Sequence, residues 1–362
     1  MSTRTDSLGN TSKTLIIFAT LVVIAAGIKA AEDLVVPFLL AAFIATIAAT
    51  PILWLEKRRV PDGIAIAVVM LGMAILVIAI GAVVAQSVGA FNDKLPFYQA
   101  RIVEIVGSLT RVVEPLGIQI SNELLLSYFD PGTALVMAGN TLRGLGSVLS
   151  NSFLILLTVI FILAEASSFP RKLREVLSDP DQSLPHFARF TDNLNRYMAI
   201  KTTISMVTGV IVAIFLSLLG IDFPVLWGLL AFLLNYVPTI GSFIAAIPAV
   251  LLALIQLGPL QAAIVAGGYV VVNIVMGNAV EPRFMGRGLG LSTLVVFTSL
   301  VFWGWMLGPV GMLLSVPLTI AAKIALEASP SSTWIASLLG PADGQALNAT
   351  GAGKPASAET IS

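Results

Sequence analysis

The chain has 362 residues, 57% hydrophobic and only 11% charged, with a mean hydropathy of +0.95. A soluble domain carries about 25% charged residues, so this composition excludes a soluble protein and requires an integral membrane one. Formal net charge is zero, there is no cysteine, and His186 is the one histidine. That removes disulfides, iron–sulfur ligation, thiol nucleophiles and a His-rich metal site, and points to no nucleic-acid partner and no cofactor.

A crossing needs about 20 apolar residues at ~1.5 Å per residue. Polar residues 1–13 read as a cytoplasmic tail. Candidate spans follow at 14–31, 34–55, 63–91, 148–169 and 201–221, and then come three apolar tracts, 223–257, 259–280 and 289–327. These are long helical runs, not the ~10-residue alternating segments of an outer-membrane barrel. The first is expected to be an uncleaved span, because a second apolar run follows almost at once.

Lys/Arg bias in short loops sets orientation. Glu56-Lys57-Arg58-Arg59 is placed in the cytoplasm, and the N-terminus with it. Residues 92–147 then lie outside. Residues 170–200, with Arg171, Lys172, Arg174, Arg189 and Arg196, return inside. Within the outer segment, Ile102, Ile105, Val106, Leu109, Val112 and Val113 recur at helical spacing, and a second helix is expected after Pro131. The inner stretch 183–200 carries Phe187, Phe190, Leu194 and Tyr197 on one stripe and is expected to lie along the interface.

Tract 223–257 has no acidic or basic residue and would be about 52 Å long as one helix, against a ~30 Å hydrocarbon core. Val237-Pro238-Thr239-Ile240-Gly241 breaks it near the middle, since proline removes a donor and glycine permits positive φ. Two arms of roughly 14–16 residues would make a hairpin that dips in and returns. Tract 289–327 repeats the plan with a break at Gly308-Pro309-Val310-Gly311. Pro248 and Pro317 fall in the respective second arms. The hairpin reading also keeps Arg283, Arg287 and Lys323 on the cytoplasmic side. The expected fold is therefore all-α: about six transmembrane helices plus two broken hairpins in an inverted repeat, with a small extracytoplasmic helical segment. Residues 14–91 would be scaffold and 148–200 a span with its amphipathic segment. Residues 201–327 would be the transport unit, and 328–362 a disordered tail, Ala/Gly/Ser/Thr-rich from about Pro341.

Non-helical backbone at membrane depth survives only buried in protein or lining water. The two tips are therefore expected to face a polar cavity. Its candidate lining is Asn235, Tyr236, Pro238, Thr239, Gly241, Ser242, Asn273 and Asn278, with Gly308, Pro309 and Gly311 from the second tip and Trp303 nearby. These neutral donors and acceptors suit a small polar solute; interhelical hydrogen bonding is the alternative for each. Trp303 and Trp305 are equally readable as interface anchors. Asp222, Glu281 and Glu165 are the candidates for ion coupling, with interfacial solvation or pairing, for instance Glu281 with Arg283, as the alternative.

At these residues the chain resembles the autoinducer-2 exporter family, also described as PerM-type permeases. The elements are Asn-Tyr-Val-Pro-x-Ile-Gly on Asn235, Pro238 and Gly241, then Gly277, Asn278, Pro282 and Gly286, then Gly308, Gly311 and Pro317. The resemblance implies a multi-pass transporter of a bacterial cytoplasmic (inner) membrane with both termini cytoplasmic. It also implies a homo-oligomer (expected to be a pentamer) in membrane lipid and an elevator-type movement of the hairpins. Family members are linked to export of autoinducer-2, a quorum-sensing signal, and others to sodium/proton antiport. The chain departs from many members at Met276, where they carry an acidic residue, and at Thr293, where they carry proline. An oligomeric pore is a further alternative, with Gly304 and Gly308 at small-xxx-small spacing. An enzyme is not expected, because no HExxH, GxSxG or Walker A motif occurs. Gly286 to Gly290 reads as a flexible linker.

Overall fold

The computed structural model describes residues 10–113, 152–166, 172, 174, 175, 180–238, 240–285, 291–327 and 332–340. Thr239, the Gly286 to Gly290 turn, the helix expected after Pro131 and the tail beyond 340 lie outside the described residues. Among the described residues the fold is all-α. The helices are α1 (Asn10–Ala30), α2 (Glu32–Lys57), α3 (Asp62–Val113), α4 (Ser152–Ala166) and α5 (Pro180–Leu218). They continue with α6 (Pro224–Leu234), α7 (Gly241–Leu257), α8 (Pro259–Asn273), a π-helical segment Ile274–Val280 and α9 (Glu281–Met285), and end with α10 (Thr293–Glu327) and α11 (Thr333–Leu338). Five of the described helices are long and apolar enough to cross a membrane, and the protein is a multi-pass membrane protein.

Two expected boundaries are absent. The third span and the amphipathic stretch at 97–113 are one helix of 52 residues that runs through Pro96, about 78 Å long. The stretch at 183–200 is likewise continuous with the span that follows, in a 39-residue α5. A change from apolar to charged residues moves a helix out of lipid without ending it, and neither junction carries a break strong enough to stop it. A third difference lies at the C-terminal end. Part of the expected tail is ordered: α11 docks where the Ser292 amide donates to the Leu339 carbonyl at 3.0 Å.

The first hairpin is α6 and α7. Its arms are 11 and 17 residues, less equal than expected, because Pro224 sets the start of α6 and Gly258 (φ +99°) ends α7. Gln256, at the end of α7, donates to the Gly220 carbonyl at 2.9 Å and accepts from the Asp222 amide at 3.0 Å, just ahead of α6. The second arm thus returns to the level where the first began. The base is anchored to the far part of α3, where Lys94 and the Tyr98 hydroxyl donate to the Asp222 carboxylate at 2.6 and 2.7 Å.

The second hairpin lies within α10. Leu307 and Gly308 leave helical geometry, Gly308 at φ +63°. Trp303 Nε1 donates to Thr319 Oγ1 at 3.1 Å, although sixteen residues of straight helix would separate them by about 24 Å. The arms, 293–306 and 309–327, therefore fold back on each other. The two tips share a device. A Cβ on Gly241 would collide with the Leu234 carbonyl, and one on Gly311 with the Trp303 carbonyl.

Their directions are opposed. The base of the first hairpin meets the Lys94 and Tyr98 end of α3, and its tip residue Tyr236 meets Phe43 of α2, ring centroids 5.4 Å apart. The base of the second, with Leu291, Val296 and Ile324, packs near Phe43, Ile47 and Tyr197, and its tip at Gly308 reaches Glu32 at the start of α2. The tips do not meet in a single cavity as expected. Glu32 and Phe43 are about 16 Å apart along α2.

Candidate functional site

One face of α5 carries Lys201, Thr202, Ser205 and Thr208, a polar row at helical spacing in an otherwise apolar span; Lys201, Ser205 and Thr208 are buried. The tip of the first hairpin docks on it. Asn235 Nδ2 donates to Ser205 Oγ at 2.9 Å, and the Tyr236 hydroxyl donates to Thr202 Oγ1 at 2.7 Å. Tyr236 is buried, edge-on to both Phe43 and Phe232. These bonds fix the non-helical tip and satisfy polar groups that lipid would leave unpaired.

The second polar contact joins the start of α7 to the end of α8, where Ser242 Oγ donates to Asn273 Oδ1 at 2.8 Å. The third is ionic. Lys201 Nζ lies 2.7 Å from Glu281 Oε1, the side chains 5% and 24% exposed, so the lysine is inside the fold and the carboxylate at its rim. The expected alternative, Glu281 with Arg283, is not the pairing found. Asn278, inside the π-helical segment, is exposed and makes no side-chain hydrogen bond among the described residues.

The remaining candidates sit elsewhere. Pro238 and Gly241 shape the first tip, and Gly308, Pro309 and Gly311 the second. Trp303 bonds within its own hairpin, and Trp305 is exposed. Asp222 anchors the base of the first hairpin and also accepts from the Trp227 indole through its carbonyl at 2.9 Å. Glu165 pairs with Lys172 on the surface. Sequence reasoning missed Lys201, Thr202 and Ser205. Lys201 stood as the first residue of the span 201–221 with no role of its own, whereas Ser205 and Thr208 at positions four and seven beyond it on the same face were the signal.

No group of three or more His, Cys, Asp or Glu residues able to hold a metal occurs among the described residues. The site offers neutral donors and acceptors beside one buried ion pair, at the tip of a re-entrant hairpin in a helical membrane protein. That combination defines a membrane transporter. A family model for AI-2E family transporters matches residues 18–331, and the chain belongs to that family. It is 42% identical over 330 residues to AI-2 transport protein TqsA of Escherichia coli K12, covering 91% of this chain and 96% of that protein. It is 40% identical over 337 residues to a putative transport protein of Haemophilus influenzae, covering 91% and 97%. The putative transport protein YhhT of E. coli K12 is 39% identical over 327 residues, covering 90% and 94%.

Proposed function

We propose that the protein exports a small polar solute across a bacterial inner membrane, with autoinducer-2 the first candidate. The observation that carries this reading is the hairpin tip at Asn235 and Tyr236, docked on the polar row of α5, with Ser242 just beyond it bonded to Asn273; Asn278, five residues on from Asn273, is counted with them as a solute contact. Thr239, outside the described residues, is a further candidate for the same solute. Such neutral groups favour a hydroxylated solute over an ion, and the name of the E. coli relative supports the choice of candidate. The second tip, with Gly308, Pro309, Gly311 and Trp303, serves as the opposing gate.

In this reading α5, the first hairpin, α8 and the far part of α3 that Asp222 anchors move as one body against α2 and α4, in an elevator-type displacement. Supporting it, Gly209 and Gly228 cross so closely that a Cβ on either would lie 2.7 or 2.6 Å from the other's carbonyl. Assembly as a homo-oligomer, a pentamer, with both termini cytoplasmic belongs to the same reading. A second reading, cation-coupled antiport, is favoured by the Lys201–Glu281 pair, because ionisable groups inside a membrane domain commonly mark ion pathways. Glu281 is its residue, since Asp222 and Glu165 have anchoring or surface partners.

Purified protein in liposomes loaded with autoinducer-2 tests the first reading. Saturable efflux above that of empty liposomes supports a carrier. Flux that rises linearly without saturation supports a pore, and no flux contradicts export. Dependence on a pH or sodium gradient that disappears in Glu281→Gln selects the second reading.

A further inference from the structure

Ile274–Val280 is π-helical over seven residues. π-helix is rare, occurs mostly as single-turn bulges and recurs at functional sites. Crowding at Gly277 does not force it. The nearest atom to a Cβ on Gly277 would be Asn273 Oδ1, 3.8 Å away. Instead, side-chain contacts bracket the segment. One residue before it, Asn273 accepts from Ser242, and one residue after it, Glu281 accepts from Lys201. Both partners belong to the body of α5 and the first hairpin, so the two ends of the wide turn are held to one frame. Between the clamps, Met276 is buried and Asn278 is exposed.

We propose that Lys201 is a positioning residue. Through Glu281 it holds the π register and thereby sets the direction in which Asn278 is presented. The importance of that direction for transport rests on the reading of Asn278 as a solute contact. If the ion pair is removed, the segment relaxes toward α-helix. Loss of one π-bulge turns everything beyond it by about 100°. At a side-chain radius of about 5–6 Å, that carries position 278 sideways by about 8 Å. Ser242 is the lesser clamp, because α8 is also held by the buried Val265 and Tyr269.

The chain has no cysteine, so spin labels can be placed at Asn278→Cys and at Val210→Cys, an exposed site on α5, without background. Pulsed electron-spin measurements on the full chain in lipid nanodiscs then read the register directly. Lys201→Met and Glu281→Met should each shift the mean distance by about 5 Å or more. The exchange Lys201→Glu with Glu281→Lys should return it to the parental value, as should Lys201→Arg. Ser242→Ala strands no charge and is the variant to read if the single charge variants do not fold; it should broaden the distribution. Unchanged distances in the charge variants overturn the proposal, as does a shift that persists in the exchanged pair. With neither single charge variant folded, an unbroadened distribution in Ser242→Ala overturns it. Normal transport by Asn278→Ala sinks the solute contact and leaves the distance result standing, so the two failures are separable.

Discussion

Lys201 shows how much a single ionisable side chain costs inside a membrane domain and what that cost implies. Its ammonium is almost wholly buried, with Glu281 2.7 Å away. Removing one partner of such a pair leaves a desolvated charge, typically costing about 3–5 kcal/mol, whereas replacing both with apolar residues of similar volume can be nearly neutral. Glu281→Met, which strands the buried ammonium, should therefore lower the thermal midpoint of the detergent-solubilised protein by several degrees, and adding Lys201→Met should recover most of the loss. Thermal unfolding followed by tryptophan emission checks this. Equal loss in single and double variants would mean that the stranded charge is not the cause. The pair was not legible in the sequence. Eighty positions separate the two residues, and each stands at the edge of an apolar tract, where charges ordinarily meet water. Asn235 and Tyr236 stood out as polar side chains beside a proline in a long uncharged tract, and both make interhelical hydrogen bonds, the alternative weighed for each. Their partners on α5 did not stand out, because serine and threonine in a span bond their own helix as readily as a neighbour, as Thr208 does here with Ile204.

At the scale of elements, both hairpins rest on a glycine that lets the second arm approach a carbonyl of the first. Alanine at Gly241 or Gly311 places its Cβ against backbone that no side-chain rotation can clear, so the arms must part. Overpacking of this kind costs about 1–3 kcal/mol or more, and each variant should show a lowered thermal midpoint and reduced yield of monodisperse protein. Gly267→Ala is the control. Nothing lies within 4 Å of its Cβ, and a helical Gly→Ala change there should gain about 0.5–1 kcal/mol. Wild-type stability in Gly241→Ala would show that the tip is looser than its geometry. The hairpins themselves were readable from length against bilayer thickness and from paired Pro/Gly breaks. The fusion of the third span with its extension was not, because hydrophobicity reports where a helix leaves lipid and not where it ends. Pro96 sits in the middle of α3 without stopping it.

For the molecule as a whole, the arrangement follows from two hairpins inserted from opposite ends beside a common helix. Charge bias at a few arginines and one lysine anticipated opposed insertion. It gave no account of how far each tip reaches, which depends on packing against α2. With Phe43 beside the first tip and Glu32 beside the second, the two tips pass each other instead of closing on one cavity. The solute face is accordingly assigned to the first hairpin, α5 and the π-helical segment. The most direct measurement is autoinducer-2 efflux from proteoliposomes carrying the parent, Asn235→Ala or Asn278→Ala, each confirmed folded by size-exclusion profile. Losing one buried-site hydrogen bond is worth about 1 kcal/mol or more. The parent should show saturable efflux, with at least about a fivefold fall in Vmax/KM in each variant. Efflux at the parental rate from both folded variants would contradict the assignment of Asn235 and Asn278 as solute contacts.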